Sequence, residues 1–425
     1  MTGQQRRALV AWCLYDWANS AFPTIVSTFV FATYFVQAVA RDVPTGTAQW
    51  SLAMSLAGLG VAILSPPLGA IADRGGRRKP LLAVATAFCV ACSAGLWFVR
   101  PDPAYVPLAI VLATLATIAF EVGTVFYNAL LPSVAPSPAI GRVSGIAWGI
   151  GYAGGLCALV LALFALVEPD PSPLGLDRAE AEHVRATGPL VALWWTLFAW
   201  PIFVFVRERG VAGMPWGRAA REGMAAMLKV VPALREVPGS ARFLLGNMMY
   251  MNGLNTLFSF GAVYAAGSFG MSTEEVLRFG IALNVTAGLG AIGFGFVDDR
   301  VGSKPTVLIA LAAMMAIGTV LLFVTDKSTF WALGLGLGAF MGPVQAASRT
   351  LVARMAPQAV RAEFFGLFAL SGRVTSFAGP AALGWATLAF ASQRAGMATI
   401  LGFLLAGFVL LAGVTPPAEA AGQGH

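Results

Sequence analysis

The chain has 425 residues, of which 58% are hydrophobic and only 11% are charged, and its mean hydropathy is +0.76. Because soluble domains carry about 25% charged residues, this composition excludes an ordinary water-soluble protein and predicts a chain whose solvent is lipid. The net charge of +7 does not indicate a nucleic-acid partner, since the sequence contains no basic patch interleaved with aromatic residues.

Apolar stretches long enough to cross a bilayer recur along the whole chain. A membrane span needs about 20 apolar residues, and twelve such stretches can be placed. They predict an all-α membrane protein with twelve transmembrane helices in two pseudo-symmetric six-helix bundles. The stretches lie at 10–39, 49–72, 80–99, 105–131, 140–167, 188–206, 242–268, 274–297, 305–325, 329–352, 363–390 and 394–414.

The division into domains follows the longest loop between spans, which falls at the middle of the chain. We predict an N-terminal bundle over 1–206, a cytoplasmic linker over 207–241 and a C-terminal bundle over 242–425. Within the linker, five apolar residues follow helical spacing among basic ones and predict an amphipathic helix on the membrane surface; a disordered basic linker is the alternative. These five are Met224, Met227, Leu228, Val231 and Leu234.

The distribution of basic residues predicts the orientation. With both termini in the cytoplasm, 19 of the 27 lysines and arginines, Arg349 among them, are assigned to inner segments. Seven are assigned to outer loops, and Arg373 falls within a span. Since cytoplasmic loops carry an excess of Lys and Arg, we expect a multi-pass protein of the cell inner membrane, the cytoplasmic membrane.

One motif occurs twice, at the same place in each predicted bundle. The first copy runs Gly69-Ala-Ile-Ala-Asp73-Arg74-Gly75-Gly76-Arg77-Arg78-Lys79 after the second span. A weaker copy, Gly295-Phe-Val-Asp298-Asp299-Arg300-Val301-Gly302-Ser303-Lys304, follows the eighth span 226 residues later. The repeat indicates duplication, which is common in transporters. Its carboxylate is expected to pair with arginines or with a neighbouring helix terminus.

The first copy resembles the signature loop of the major facilitator superfamily, and the helix number and central loop extend the resemblance to the whole chain. The resemblance implies gating loops that bridge the two halves and stabilise an outward-open state, with Asp73 and Arg77 as relay and gate residues. In the second copy Ser303 replaces a basic residue, so we expect a weaker latch. The gating residues implied are Gly69, Asp73, Arg74, Gly76, Arg77, Arg78, Gly295, Asp299, Arg300, Gly302 and Lys304.

The first helix resembles that of one particular group within this superfamily. The segment Tyr15-Asp16-Trp17-Ala18-Asn19-Ser20-Ala21-Phe22, continuing Pro23-Thr-Ile-Val-Ser27, is similar to the first helix of the autophagy-related vacuolar amino-acid effluxers and their bacterial relatives. The segments Phe126-Tyr127-Asn128, Leu130-Leu131-Pro132 and Gly151-Tyr152-Ala153-Gly154-Gly155 resemble the same group. This resemblance implies export of small solutes, with amino acids as the first expectation.

Charged residues inside predicted spans are costly and usually functional. Glu121 lies near the middle of the fourth span and Asp16 in the first, so Glu121 is our first candidate for a proton carrier and Asp16 the second. Each has a structural alternative: Glu121 could form a permanent ion pair with Arg373 or Arg142, and Asp16 could fix helix packing. Arg373 could bind a substrate carboxylate or clamp the halves together.

Polar and aromatic residues in the spans are candidates for lining a central cavity, provided that the superfamily arrangement of helices holds. Packing or anchoring at the membrane interface is the alternative for each tryptophan and tyrosine. Glycines of the fifth span are expected to allow close helix contacts. The candidate substrate-binding residues are Asn19, Tyr127, Asn128, Trp148, Tyr152, Asn252, Asn255 and Arg373.

The favoured function is secondary active transport by alternating access, without enzymatic activity. No phosphate-binding glycine loop is visible in the sequence, so ATP drive is not predicted. A lipid scramblase or sensor with a transporter fold, or a membrane-embedded lipid-modifying enzyme, is the alternative. The expected partners are a small-molecule substrate, protons and the lipid bilayer, without nucleic acid, cofactor or metal, and the chain is expected to act as a monomer.

Overall fold

A computed structural model describes residues 2–169, 171, 174–208, 215–227, 237–271, 273–373 and 375–415. Within them the chain is helical, and ten helices are long and apolar enough to cross a membrane. The two other predicted spans correspond to α7 and to α11, which is broken into α11a and α11b. The helices are α1 Gly3–Val39, α2 Val43–Gly75, α3 Arg78–Gly95, α4 Val106–Ala129, α5 Ile140–Ala162, α6 Thr187–Phe205, α7 Ser240–Phe269, α8 Thr273–Val301, α9 Ser303–Leu321, α10 Lys327–Met355, α11a Arg361–Arg373, α11b Ala378–Ala389 and α12 Gln393–Ala412.

The predicted class of fold, an all-α membrane protein, is confirmed for the described residues, and the helices account for all twelve predicted spans. A further helix, Trp216–Met227, lies in the predicted linker and packs against α2, with Ala219 buried. Leu228, Val231 and Leu234 of the predicted amphipathic pattern lie outside the described residues, so the full length of that helix stays a prediction.

The first helix is irregular for a local reason. It is α-helical over Gly3–Asn19 and becomes a wider π-helix over Phe22–Phe29. Pro23 lies at the start of the wider segment. Because proline has no N–H to donate to the preceding turn, it disturbs the regular hydrogen-bond ladder.

The two halves contact each other at one end of the bundle, where both motif copies lie; we call this the motif end. Here α2 packs against α11a, and α5 packs against α8. The contacts include a hydrogen bond between Gln345 of α10 and the hydroxyl of Tyr152 of α5. Tyr152 is twelve residues after the start of α5, which is about 18 Å at 1.5 Å per residue. The interface between the halves therefore extends about half-way along α5.

Glycines make this interface possible. A Cβ added to Gly69 in α2 would lie 2.5 Å from the carbonyl oxygen of Ala362 in α11a. In α5, a Cβ on Gly145 would collide with the carbonyl oxygen of Ala291 in α8. The remaining glycines of α5 serve two interfaces, because Gly149 also faces α8 whereas Gly154 faces the backbone of Trp17 in α1. Small residues allow this closeness without any side-chain rearrangement.

We expect Gly145→Val to weaken the contact between the halves, because the new side chain would overlap the backbone of α8. Overpacking of this kind costs about 1–3 kcal/mol. The free energy of unfolding, measured by denaturant titration, should fall by that amount. The matched control is Gly293→Val on α8, where an added Cβ meets nothing within 4 Å. An equal loss in both variants would contradict the proposed role of the glycine contact.

Candidate functional site

An arginine of the C-terminal half is buried in the N-terminal half. Arg349, in α10, is 3% exposed. Its Nε donates to the hydroxyl of Ser144 (2.9 Å) and its Nη2 to the carbonyl of the same residue (2.7 Å). Its Nη1 lies 3.1 Å from Oδ2 of Asp16 and 3.5 Å from Oδ1 of Asn128. A single guanidinium thus joins α10 to α5, α1 and α4.

Aromatic rings enclose the same guanidinium. Its Cζ lies 5.0 Å from the ring centroid of Trp12, 5.9 Å from that of Tyr127 and 5.5 Å from that of Trp148. Trp12 and Tyr127 stack at 4.5 Å, and each donates a side-chain hydrogen bond to the backbone carbonyl of the other. The negative faces of such rings attract a desolvated cation. The N-terminal half therefore offers Arg349 one carboxylate, three polar oxygens and three aromatic faces.

The basic-residue count placed Arg349 in a cytoplasmic segment, and the structure corrects this. The last turns of α10 are buried between the halves rather than exposed at the membrane surface. The hydropathy pattern does not distinguish an arginine buried between the halves from one at the membrane surface, because Arg349 and Arg354 both lie near the end of an apolar stretch. The sequence feature that indicated a buried arginine was Asp16 within the first span, because a buried carboxylate needs a basic partner elsewhere in the fold.

Two arginines, Arg142 and Arg373, were suggested from the sequence as ion-pair partners of Glu121. Arg142 contacts the carboxylate of Asp299 (3.7 Å) and lies over the ring of Phe296, which is not the pairing suggested from the sequence. Glu121 is partly buried in α4. Arg373 ends α11a, and its side chain lies outside the description.

The polar residues expected around a cavity are placed in two groups. Tyr152, Trp148 and Asn19 lie in the N-terminal half near Arg349; the rings of Trp148 and Tyr152 are 5.9 Å apart, and Asn19 is buried. Asn252, in α7, is 1% exposed and donates to the hydroxyl of Thr375 at the break in α11. Its amide oxygen accepts a hydrogen bond from the backbone N–H of Gly379 at the start of α11b. This side chain therefore binds both the break in α11 and the helix that follows it.

Asn255 lies one turn further along α7 and is partly buried. Gln345 was not selected from the sequence, but it bridges the halves through its hydrogen bond to Tyr152 (3.1 Å). Trp148 also carries a buried indole nitrogen with no hydrogen-bond partner among the described residues. These groups lie on the side of Arg349 that points away from the motif end.

The first motif copy joins the halves through a helix terminus. Oδ1 of Asp73 accepts a hydrogen bond from Nε of Arg78 (2.9 Å), and Oδ2 accepts from the backbone N–H of Glu363 (2.9 Å) in the first turn of α11a. Carboxylates are favourable at helix N-termini, where backbone N–H groups lack partners. The structure gives this ion pair to Arg78, which was expected only in support of Arg77. Arg74 instead lies 3.9 Å from Glu222 of the linker helix.

The second copy repeats the arrangement in the other direction. Oδ1 of Asp299 accepts from the backbone N–H groups of Gly141 (2.8 Å) and Arg142 (3.1 Å), at the start of α5. Gly76 and Gly302 occupy equivalent places in the two copies and both have positive φ, 57° and 90°. Glycine adopts this conformation without the penalty that a Cβ brings. The two halves therefore cap each other's helices at the motif end.

The expectation of a weaker second latch stays a prediction, but the second copy also has a guanidinium beside it. Arg354 of α10 lies 2.8 Å from Oδ1 of Asp298 and 2.9 Å from the hydroxyl of Ser303. This guanidinium comes from outside the motif, whereas that of Arg78 lies within the first copy. Arg300 is exposed, and Lys304 donates to the backbone carbonyls of Ala412 and Val414 at the end of α12 (2.7 Å each).

We expect Arg349→Ala to be strongly destabilising, because it leaves Asp16 buried without its cation. Removing one partner of a buried ion pair costs about 3–5 kcal/mol. Arg142→Ala is the matched control: its side chain is 46% exposed, and exposed pairs contribute about 0–1 kcal/mol. Denaturant titration of both variants measures the difference. A loss for Arg349→Ala no larger than that for Arg142→Ala would show that the buried pair is not a main contact.

Comparison with known proteins identifies the family. The family described as vacuole effluxer Atg22 like matches residues 45–418. The uncharacterized MFS-type transporter YxiO of Bacillus subtilis (strain 168) is 27% identical over 409 residues, covering 95% of this chain and 93% of YxiO. Autophagy-related protein 22 of Cryptococcus neoformans var. neoformans serotype D (strain B-3501A) is 26% identical over 264 residues, 57% of this chain. The chain spans about half of that relative, 47% of its length.

Solved structures share the fold at low sequence identity. The human organic anion transporter MFSD10 (TETRAN) has a TM-score of 0.72 and 15% identity, covering 97% of this chain and 100% of the other. The proton:xylose symporter XylE, bound to 6-bromo-6-deoxy-D-glucose, has a TM-score of 0.67 and 16% identity, covering 96% and 94%. The chain belongs to the Atg22-like effluxer family and, with it, to the major facilitator superfamily of membrane transporters.

Proposed function

We propose that this transporter exports small solutes, amino acids first among them, across the cytoplasmic membrane by proton-coupled alternating access. The observation that carries the proposal is the burial of Arg349 of one half among Asp16, Ser144 and Asn128 of the other. Such a contact is stable only while the halves are together at the motif end. The description of the family as effluxers supports the outward direction.

The basic-residue bias assigns the motif end to the cytoplasmic side. With that orientation, the helix caps at Asp73 and Asp299 hold the cytoplasmic side closed. Opening to the cytoplasm then requires both carboxylates to leave their helix termini and Arg349 to leave its aromatic enclosure. Rocking of one half against the other about a midplane site is the usual way in which repeat-built transporters do this.

Glu121 remains our first candidate for the proton carrier, with Asp16 second. Glu121 precedes Asn128 by seven residues, which places both on one face of α4, about 10 Å apart along the helix. Asn128 contacts Arg349, so this face of α4 points toward the contact between the halves. Protonation of a carboxylate there would change the charge balance around Arg349. Asp16 would act on Arg349 directly.

The proposed substrate site lies beyond Arg349, away from the motif end. Asn19, Trp148 and Tyr152 are its candidates from the N-terminal half, and Asn255 and Gln345 those from the C-terminal half. Neutral amide and hydroxyl groups of this kind can accept hydrogen bonds from the ammonium of an amino acid and donate them to its carboxylate. Arg373, Tyr127 and Asn128 stay candidates from the sequence, whereas the amide of Asn252 is used within α7 and α11.

Amino-acid flux in proteoliposomes under an imposed pH gradient tests the proposal. We expect driven flux in the unmodified protein. Glu121→Gln should abolish driven flux but preserve exchange of substrate without a gradient, because the neutral amide keeps the shape of the side chain and cannot release a proton. Asp16→Asn is the comparison variant.

Three other results would change the proposal. If Glu121→Gln retains driven flux and Asp16→Asn loses it, the carrier is Asp16. If both variants retain it, proton coupling through these two residues is wrong. If the unmodified protein moves lipid and no amino acid, the export proposal fails and a scramblase is favoured.

A further inference from the structure

The second motif copy contains an acidic residue that its helix cap does not use. Asp299 corresponds to Asp73 in the 226-residue repeat and caps α5, as Asp73 caps α11a. Its neighbour Asp298 corresponds to Ala72 in the first copy. Asp298 is nevertheless 1% exposed. Burial of an additional carboxylate is costly, so its presence beside a working cap calls for an explanation.

The two oxygens of Asp298 have different surroundings. Oδ1 accepts hydrogen bonds from the hydroxyl of Ser303 (2.9 Å) and from Nη1 of Arg354 (2.8 Å). Oδ2 is buried and has no hydrogen-bond partner among the described residues. The crevice beside the side chain is lined by Gly141, Ala291, Phe294, Gly295, Ala346 and Ala347, and it leaves no room for a water molecule.

The carboxylate of Asp298 has fewer compensating groups around it than that of Asp299. From α10, Arg354 faces both carboxylates, at 2.8 Å from Asp298 and 3.9 Å from Asp299. From α5, Arg142 faces Asp299 at 3.7 Å, and two backbone N–H groups bind Asp299 as well. Asp299 therefore has several groups that stabilise its negative charge. Asp298 shares one guanidinium and leaves one oxygen without compensation.

The opposite half of the protein covers this carboxyl group directly. A Cβ added to Gly141, at the start of α5, would lie 2.6 Å from Cγ of Asp298. Separation of α5 from α8 at the motif end would therefore expose Oδ2 to water. A buried oxygen without a partner is tolerated far better in a neutral carboxyl than in an ionised one, whereas water stabilises the ionised form.

We propose that Asp298 is a proton-binding site that couples opening of the motif end to proton release. While the halves are in contact, Oδ2 carries the proton. When they separate, the O–H bond breaks, a water molecule takes the proton, and the resulting carboxylate is balanced by Arg354. The inference rests on the proposed proton-coupled transport and deepens it, since it names a second proton site besides Glu121 and Asp16.

The sign of the pH effect follows from linkage. Because the open form binds fewer protons at Asp298 than the closed form, acid favours the closed motif end and alkali favours the open one. Neutralising Asp299 would leave Arg354 to Asp298 alone. That change would stabilise the ionised form of Asp298 and shift the transition to lower pH.

The test measures the opening of the motif end without substrate or gradient. Spin labels on Ser137→Cys, before α5, and Val301→Cys, at the end of α8, report the distance between the halves; both positions are exposed. Cys157, the exposed native cysteine, is replaced by alanine in the full-length protein. From about pH 5 to about pH 9, a range that includes documented values for buried carboxyls, we expect the labels to move apart as pH rises.

Asp298→Asn should keep the short distance throughout this pH range, because the amide cannot ionise. Asp298→Ala should do the same, and it reproduces the residue of the first copy in case the amide disturbs folding. Asp299→Asn should retain the transition with its midpoint at lower pH, because it removes both a competitor for Arg354 and the carboxylate that caps α5. A distance independent of pH in the unmodified protein, or an unchanged transition in the folded Asp298 variants, would overturn the inference.

The outcome is distinguishable from that of the flux experiment. A pH-dependent distance that requires Asp298, together with flux that ignores the pH gradient, would support the proton site and reject proton-coupled transport. Driven flux together with a distance that does not depend on pH would support proton-coupled transport and reject the proton site at Asp298.

Discussion

The structure depends on one constraint, which is that a guanidinium buried between two membrane-embedded bundles must find compensation within the protein. A charge in this environment cannot rely on water, so its partners determine which conformations are possible. Arg349 obtains a carboxylate, three polar oxygens and three aromatic faces from the opposite half. The contact of the halves at the motif end is thus the conformation in which this cation is fully satisfied.

Helix termini impose the second constraint. The backbone groups at a helix end lack partners, and both copies of the motif supply them. Asp73 and Asp299 bind N–H groups of the opposite half, whereas Lys79 and Lys304 bind the last carbonyls of α6 and α12 within their own half. The motif therefore stabilises each half through its lysine and joins the halves through its aspartate. The first kind of bond can persist while the second breaks.

Duplication did not keep the two copies identical. In the first copy the guanidinium comes from Arg78 within the motif, and in the second it comes from Arg354 on α10. Since α10 also carries Arg349, one helix supplies the buried cation that pairs with Asp16 and the partly buried cation that pairs with Asp298. Movement of α10 relative to the N-terminal half would alter the surroundings of Asp16, and movement of α5 relative to α8 would alter those of Asp298. The charge environments of Asp16 and Asp298 therefore both depend on whether the halves are in contact at the motif end.

The sequence by itself determined the twelve helices, the duplication and the carboxylates at helix ends, because apolar length and motif repetition are local properties that read directly along the chain. Only the tertiary structure decided which charges meet. Asp16 and Arg349 are 333 positions apart, and position alone made Arg349 look like one more basic residue at a membrane surface. Asn252 likewise looked available to a cavity until the break in α11 placed Thr375 beside it. Spacing along one helix fixes the face on which a residue lies, but the packing of the other helices fixes what that face contacts.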